Sequence, residues 1–249
     1  MPAKSLVAFA LIMLTALLGG CNTQRPLFAV LDDGKFNLDH GHYEQARDDF
    51  AEYVERRPDA VDVRYLYGKS LIETNQARQA IEQLNIAVDV APLNDNYLDA
   101  QAEAMYRANE REALTVLLAR AASERGRVSD YLRLGTYSQK LGNLDEAQQS
   151  FLTAAKLDLG QTASVQRAVA DFYGSIGDKE KQVRRLKMAY YLDPDNQELY
   201  KEIRRVGEIP GPSFGVRPEE QSLLPAPAAP KAAPKPQPKL APQRSEGAK

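Results

Sequence analysis

The sequence predicts an all-α chain of about five stacked repeats, closed by a capping helix and followed by a proline-rich tail. Three observations predict it. The 187 residues from 21 to 207 are rich in Ala, Leu, Gln and Glu, with few β-branched clusters, a composition that favours helix. Small and bulky residues recur at an interval of 34: Gly34 and Gly68, Ala46 and Ala80, Phe50 and Leu84, Pro58 and Pro92. The two ends depart from this composition and cannot contribute to a repeat core. A unit of this length cannot bury its apolar face alone, so units must stack, and at least three are needed.

The repeat persists along the middle. Gly135, Ala147 and Phe151 keep the internal offsets of 12 and 4, and Pro194 stands three periods after Pro92. The best copy holds Tyr131, Leu134, Gly135, Ala147, Phe151 and Ala154. Another holds Tyr67, Gly68, Leu71, Ala80, Leu84, Ala87 and Pro92, and the last holds Val169, Ala170, Tyr173, Gly177, Leu186, Ala189 and Pro194. This pattern resembles the tetratricopeptide repeat (TPR), a family of helix-turn-helix units, over about 170 of the 249 residues. The resemblance implies a right-handed superhelical solenoid. Small residues sit where helices A and B of a unit cross, bulky ones fill the space between units, and proline ends helix B.

The units are placed at 27–60, 61–94, 95–127, 128–161 and 163–196. Three depart from the pattern. The first has Asp33 and Asn37 where bulky residues are expected. The third is one residue short, with Gln101 and Arg120 at small-residue positions. The fifth has Gln182 in place of alanine. Gln197 to Val206 follows as a capping helix with Tyr200, Ile203 and Val206 on one face.

The N-terminus reads as a targeting signal. A leader with one positive charge, Met1 to Lys4, precedes an apolar run from Ser5 to Leu18. That run is shorter than the ~20 residues of a membrane span and suits a secretory signal peptide. It ends in Leu18-Gly19-Gly20-Cys21, which resembles the lipobox of bacterial lipoproteins. The resemblance implies removal of residues 1–20, lipidation of Cys21 (diacylglycerol plus an acyl chain such as palmitate), and a linker over 21–26. The other reading, an ordinary signal with a chance cysteine, leaves a lone thiol unexplained, since Cys21 is the only cysteine. Asn22, where aspartate would mark inner-membrane retention, implies the outer membrane, facing the periplasm.

From Glu208 to Lys249 the chain holds ten of its fifteen prolines, and from Pro225 onward it has five basic residues and one acid. Such a segment favours polyproline II and builds no core. It is expected to be disordered, as an inert arm or as a basic one that contacts an anionic partner such as the cell wall.

No catalytic motif is present: no phosphate loop, dinucleotide fingerprint, H-E-x-x-H or G-x-S-x-G. His40 and His42, the only histidines, read as a polar turn rather than a metal site, since zinc needs three or four placed ligands. Asp193-Pro194-Asp195-Asn196 reads as a helix stop and an N-cap. No enzyme activity, cofactor, metal or nucleic-acid partner is expected.

By the family resemblance, helix A of each unit lines a concave groove. The residues mapped to it are Phe28, Leu31, Lys35, Tyr65, Lys69, Ile72, Leu98, Met105, Tyr106, Leu132, Thr136, Lys140 and Arg167. Aromatics and methionine suit peptide contacts. The implied function is a membrane-tethered adaptor that binds other envelope proteins, in outer-membrane, pilus, secretion or cell-wall assembly. Alternatives are a peptidoglycan-binding protein and a passive spacer. Residues 27–57 carry eight acids and four bases, and 179–205 carry eight bases and five acids, an asymmetry that would steer partners or favour contact between copies.

Overall fold

A computed structural model describes residues 24–223, in two compact units, one up to Leu157 and the other from Asp158. The described residues are helical, with no strand among them. In the first unit the helices are α1 (Leu27–Asp39), α2 (Tyr43–Arg56), α3 (Val61–Glu73), α4 (Ala77–Val90), α5 (Asp95–Arg107), α6 (Arg111–Arg125), α7 (Val128–Lys140) and α8 (Leu144–Asp158). The second holds α9 (Ala163–Ser175), α10 (Lys179–Leu192), α11 (Gln197–Arg205) and a 3-10 turn at Glu219–Leu223. The expected signal, Cys21 and residues 224–249 lie outside the described residues.

Each helix pair turns on one residue in the left-handed region: Gly41, Asn75, Asn109, Gly142 and Gly177. Gly and Asn tolerate that backbone best. The shortened third unit shows in the 33-residue step from Asn109 to Gly142. Within a pair, the small position faces the bulky one. A Cβ on Gly68 would lie 2.6 Å from Leu84 Cγ, and one on Gly135 would lie 3.1 Å from the Phe151 ring. Leu71, Ala80, Leu84, Ala102, Leu114, Leu118 and Leu134 form one apolar core through successive units.

The departures from the pattern have physical answers. In the first unit Arg25 donates to Asp49 (2.7 Å), Glu52 (2.7 Å) and Asp33 (3.3 Å), and Asn37 donates to Asp49 (2.9 Å). Charge there replaces apolar contact. Gln101 is buried and donates to Asn85 Oδ1 at 2.7 Å, and Arg120 is exposed. In the fifth unit Gln182 fits because Gly174 faces it: a Cβ on Gly174 would meet Gln182 Nε2 at 2.3 Å.

The second unit extends past the expected end of the body. Asn196 caps α11, accepting from the Glu198 and Leu199 amides, as the sequence indicates. Leu199 and Ile203 are the inward residues of that helix, with Tyr200 and Val206 partly covered beside them. Residues 208–223, assigned to the disordered tail, instead fold onto α9 and α10. Phe214 packs edge-on to Tyr190, with ring centroids 5.6 Å apart. The Val216 amide donates to Lys187 O at 3.1 Å. Glu220 accepts from Arg185 Nη1 at 2.5 Å and from Gln166 at 3.3 Å, all three side chains being buried, and Arg185 also reaches the more exposed Glu219 at 3.2 Å. Three prolines made this stretch look like linker, but one aromatic and one carboxylate give it enough to bury.

Candidate functional site

Between α3 and α5, helices A of the second and third units, lies an open cleft of about 210 Å³ lined by Tyr65, Lys69, Ile72, Glu73, Asn96, Asp99, Ala100 and Glu103. The 34-residue period explains this lining. Tyr65 and Lys69 of one unit are equivalent to Asp99 and Glu103 of the next, so similar helix positions meet across the groove. Tyr65, Ile72 and the small Ala100 give an apolar floor, and charged side chains form the walls.

The walls are held by bonds that step from unit to unit. Arg107 donates to Glu73 (3.4 Å), to the Ile72 carbonyl (3.2 Å) and to Glu103 of its own helix (2.8 Å). Tyr137 donates to Glu103 at 3.0 Å, with Lys140 3.4 Å from the same carboxylate. Arg133 donates to Asp99 at 2.5 Å, and Tyr97 donates to Asp62. Asp130, fully buried, is clamped by Arg125 (3.0 Å), Arg127 (3.1 Å) and Arg133 (3.0 Å) at the joint of the third and fourth units. The Arg107–Glu73, Tyr137–Glu103, Arg133–Asp99 and Tyr97–Asp62 partners stand 34 or 35 residues apart, so the repeat is visible in the polar network as well as in the core.

These contacts set the protonation states. Burial, then the bond to Asp62, pushes Tyr97 up to about 12. Burial and the Glu103 charge raise Tyr137 as well. Burial works against charge on Glu103, but Arg107, Lys140 and Tyr137 outweigh it and hold the carboxyl below its ordinary value. Of the cleft's lining, Glu103 is thereby held in its ionised form. Lys69 lies 5.6 Å from the Tyr65 ring centroid, and Lys140 lies over Tyr106 (5.0 Å) and Tyr137 (4.6 Å).

The structure places the expected groove residues unevenly. Tyr65, Lys69 and Ile72 line the cleft. Tyr106, Leu132, Thr136 and Lys140 lie at or near the surface further along the first unit. Phe28, Leu31 and Lys35 lie on α1, and Phe28 is 70% exposed. Arg167, in the second unit, is held by Glu202 at 3.0 Å. Leu98 and Met105 need correcting. Leu98 is 2% exposed and Met105 is buried in the core, because they occupy the positions at which the repeat pattern places bulky inward residues. The groove residues of α5 are Asn96, Asp99 and Glu103, polar side chains passed over in favour of apolar neighbours. Counting helix positions from Asp95 finds them. His40 accompanies the first turn, its ring stacked on Phe36 at 4.0 Å. Among the described residues no group of three potential ligands could hold a metal.

A chain of paired helices with an open groove between successive A helices defines a scaffold suited to protein–protein interaction. Comparison with known proteins agrees. Residues 37–104 and 131–160 match family models described as tetratricopeptide repeat. The chain is similar in fold to a thermophilic TPR protein of Thermus thermophilus (18% identity, TM-score 0.53), covering 73% of this chain and 98% of that one. It is also similar to the MamA protein (18%, 0.50; 72% and 94%) and to pilF of Pseudomonas aeruginosa (17%, 0.51; 73% and 82%). At these identities the likeness is one of fold alone. No curated protein matches the chain.

Proposed function

We propose that this chain is a non-catalytic adaptor, anchored through lipid on Cys21 to the periplasmic face of a bacterial outer membrane, that gathers envelope protein partners. The observation that carries the binding role is the α3–α5 cleft: an apolar floor at Tyr65, Ile72 and Ala100, walled by Lys69, Glu73, Asp99 and Glu103. An extended peptide can set one apolar side chain on that floor and match its polar groups to the walls. The anchor is supported by the lipobox-like Leu18-Gly19-Gly20-Cys21. Tethering raises the local concentration of weakly held partners at the membrane.

The test is in-cell photo-crosslinking from position 65, with mass spectrometry of the conjugates. Envelope proteins are expected, and Ala100→Trp, which fills the cleft, should abolish their capture. Conjugates unaffected by Ala100→Trp would refute the cleft as the site. Conjugation to cell-wall glycan alone would favour the wall-binding alternative.

A further inference from the structure

We propose that the outer face of α1 is a docking site for this chain's own proline- and lysine-rich segment, residues 224–249. Val30 and Gly34 form the buried side of α1. The opposite side carries Phe28 (70% exposed) and Phe36 (57% exposed), with Asp32 between them on the same i, i+4, i+8 row. In the second and third units, helix A packs against helix B of the unit before it. No helix precedes α1 among the described residues, so no helix covers this face there; His40 stacks on the Phe36 ring at 4.0 Å and still leaves it more than half exposed. Two large exposed aromatics on one row give α1 an apolar stripe that an occupant can cover.

The chemistry of the face selects the occupant. Asp32 and Asp39, both exposed, are in no ion pair among the described residues. Arg25 is already engaged by Asp33, Asp49 and Glu52, which leaves Lys35, beside the row, as the remaining cation of α1. Across residues 27–57 acids outnumber bases eight to four. An anionic lipid surface would be repelled. Residues 224–249 have the complementary composition: seven prolines, five bases (Lys231, Lys235, Lys239, Arg244 and Lys249) and one acid, Glu246.

The spacing also agrees. Pro-Lys recurs at 230–231, 234–235 and 238–239, every four residues. Four residues of polyproline II advance about 12 Å at ~3.1 Å each. The eight residues from Phe28 to Phe36 span about 12 Å of α-helix at ~1.5 Å each. A proline ring set on Phe28 therefore brings the next Pro-Lys pair level with Phe36, with the intervening lysine near Asp32. Proline against an aromatic face is the usual contact of polyproline ligands, and the lysines add a salt-sensitive attraction.

The experiment uses the purified full-length chain, carrying the Cys21→Ser substitution for solubility, with p-benzoylphenylalanine in place of Phe36. After irradiation, the conjugated peptide is mapped. The proposal expects conjugates within residues 224–249, largely lost when Lys231, Lys235 and Lys239 are changed to Glu, and weakened in 1 M salt. Mixing isotopically light and heavy chains shows whether the segment comes from the same copy or another, and either origin upholds the proposal. Conjugates that fall only in folded residues such as 179–205, conjugates unchanged by the Glu substitutions, or none at all would overturn it. Such a result would leave the α3–α5 cleft reading untouched, since that is probed from position 65.

Discussion

A methyl group on Gly68 would come within 2.6 Å of Leu84 Cγ and 2.8 Å of its Cδ2, closer than the packed helices of the second unit allow. Gly68→Ala should therefore cost about 1–3 kcal/mol, the range for overpacking a filled core, read as a lower urea midpoint. In a Leu84→Ala background the same change should cost clearly less, because the clashing atoms are gone. Equal costs in both backgrounds would mean that the loss comes from helix backbone and not from this contact. Glu103 gives a second prediction at this scale. Arg107, Lys140 and Tyr137 hold its carboxyl below the ordinary 4.5, so the folded state binds its proton less readily than the unfolded chain. The stabilisation is complete above the unfolded value and is lost as pH falls through the folded one. The stability gap between the native chain and Glu103→Gln should thus be present at pH 7 and shrink below about pH 4.5, measured by urea unfolding across the acid range. A gap that widens on acidification would contradict the assigned direction.

The segment 208–223 is held to α9 and α10 chiefly by Phe214 and by the Arg185–Glu220 pair, whose side chains are 7% and 6% exposed. Removing Glu220 takes from Arg185 its buried carboxylate but leaves it Glu219 at 3.2 Å and Gln166 at 2.8 Å, so the cost is that of a lost buried charge-assisted bond, about 1–3 kcal/mol. Glu220→Ala should destabilise the second unit by that order, whereas replacing the pair together, as Arg185→Met with Glu220→Leu, should recover much of the loss. Truncation after Gly207 should reproduce the Glu220→Ala effect in hydrogen exchange of α9 and α10, and truncation after Leu223 should leave those helices protected as before. This element was not legible in the sequence. A helix repeat announces itself by many residues at a fixed interval, as Gly34, Gly68 and Gly135 do with Phe50, Leu84 and Phe151. A single folded-back strap depends on two residues whose partners lie 24 and 35 positions away, and no local pattern marks them.

At the scale of the whole chain, the paired helices and their joints were readable, because the period fixes both core and turns. The lining of the proposed cleft was readable only in part: Tyr65, Lys69 and Ile72 line it, while Asp99 and Glu103 of its opposite wall were passed over for the apolar Leu98 and Met105, which are buried. Apolar character says which residues the core takes; position within the repeat says which face the groove takes, and the second argument outranks the first. The membrane proposal rests on residues outside the described ones and has its own physics. Among the described residues no helix is long and apolar enough to cross a membrane, so in this reading attachment falls to Cys21. One acyl chain holds a protein only marginally, and two or more hold it stably. Cys21→Ser should move the protein from the membrane to the soluble fraction. Any residue of binding should come from the basic segment 224–249, at about 1 kcal/mol per cation near an anionic surface. That remainder should vanish in 1 M salt, where the screening length falls to about 3 Å, and in a Cys21→Ser chain ending at Leu223. Cys21→Ser protein that stays with membranes through the salt wash would refute the lipid anchor, and membrane retention would then have to be sought in the protein partners of the groove.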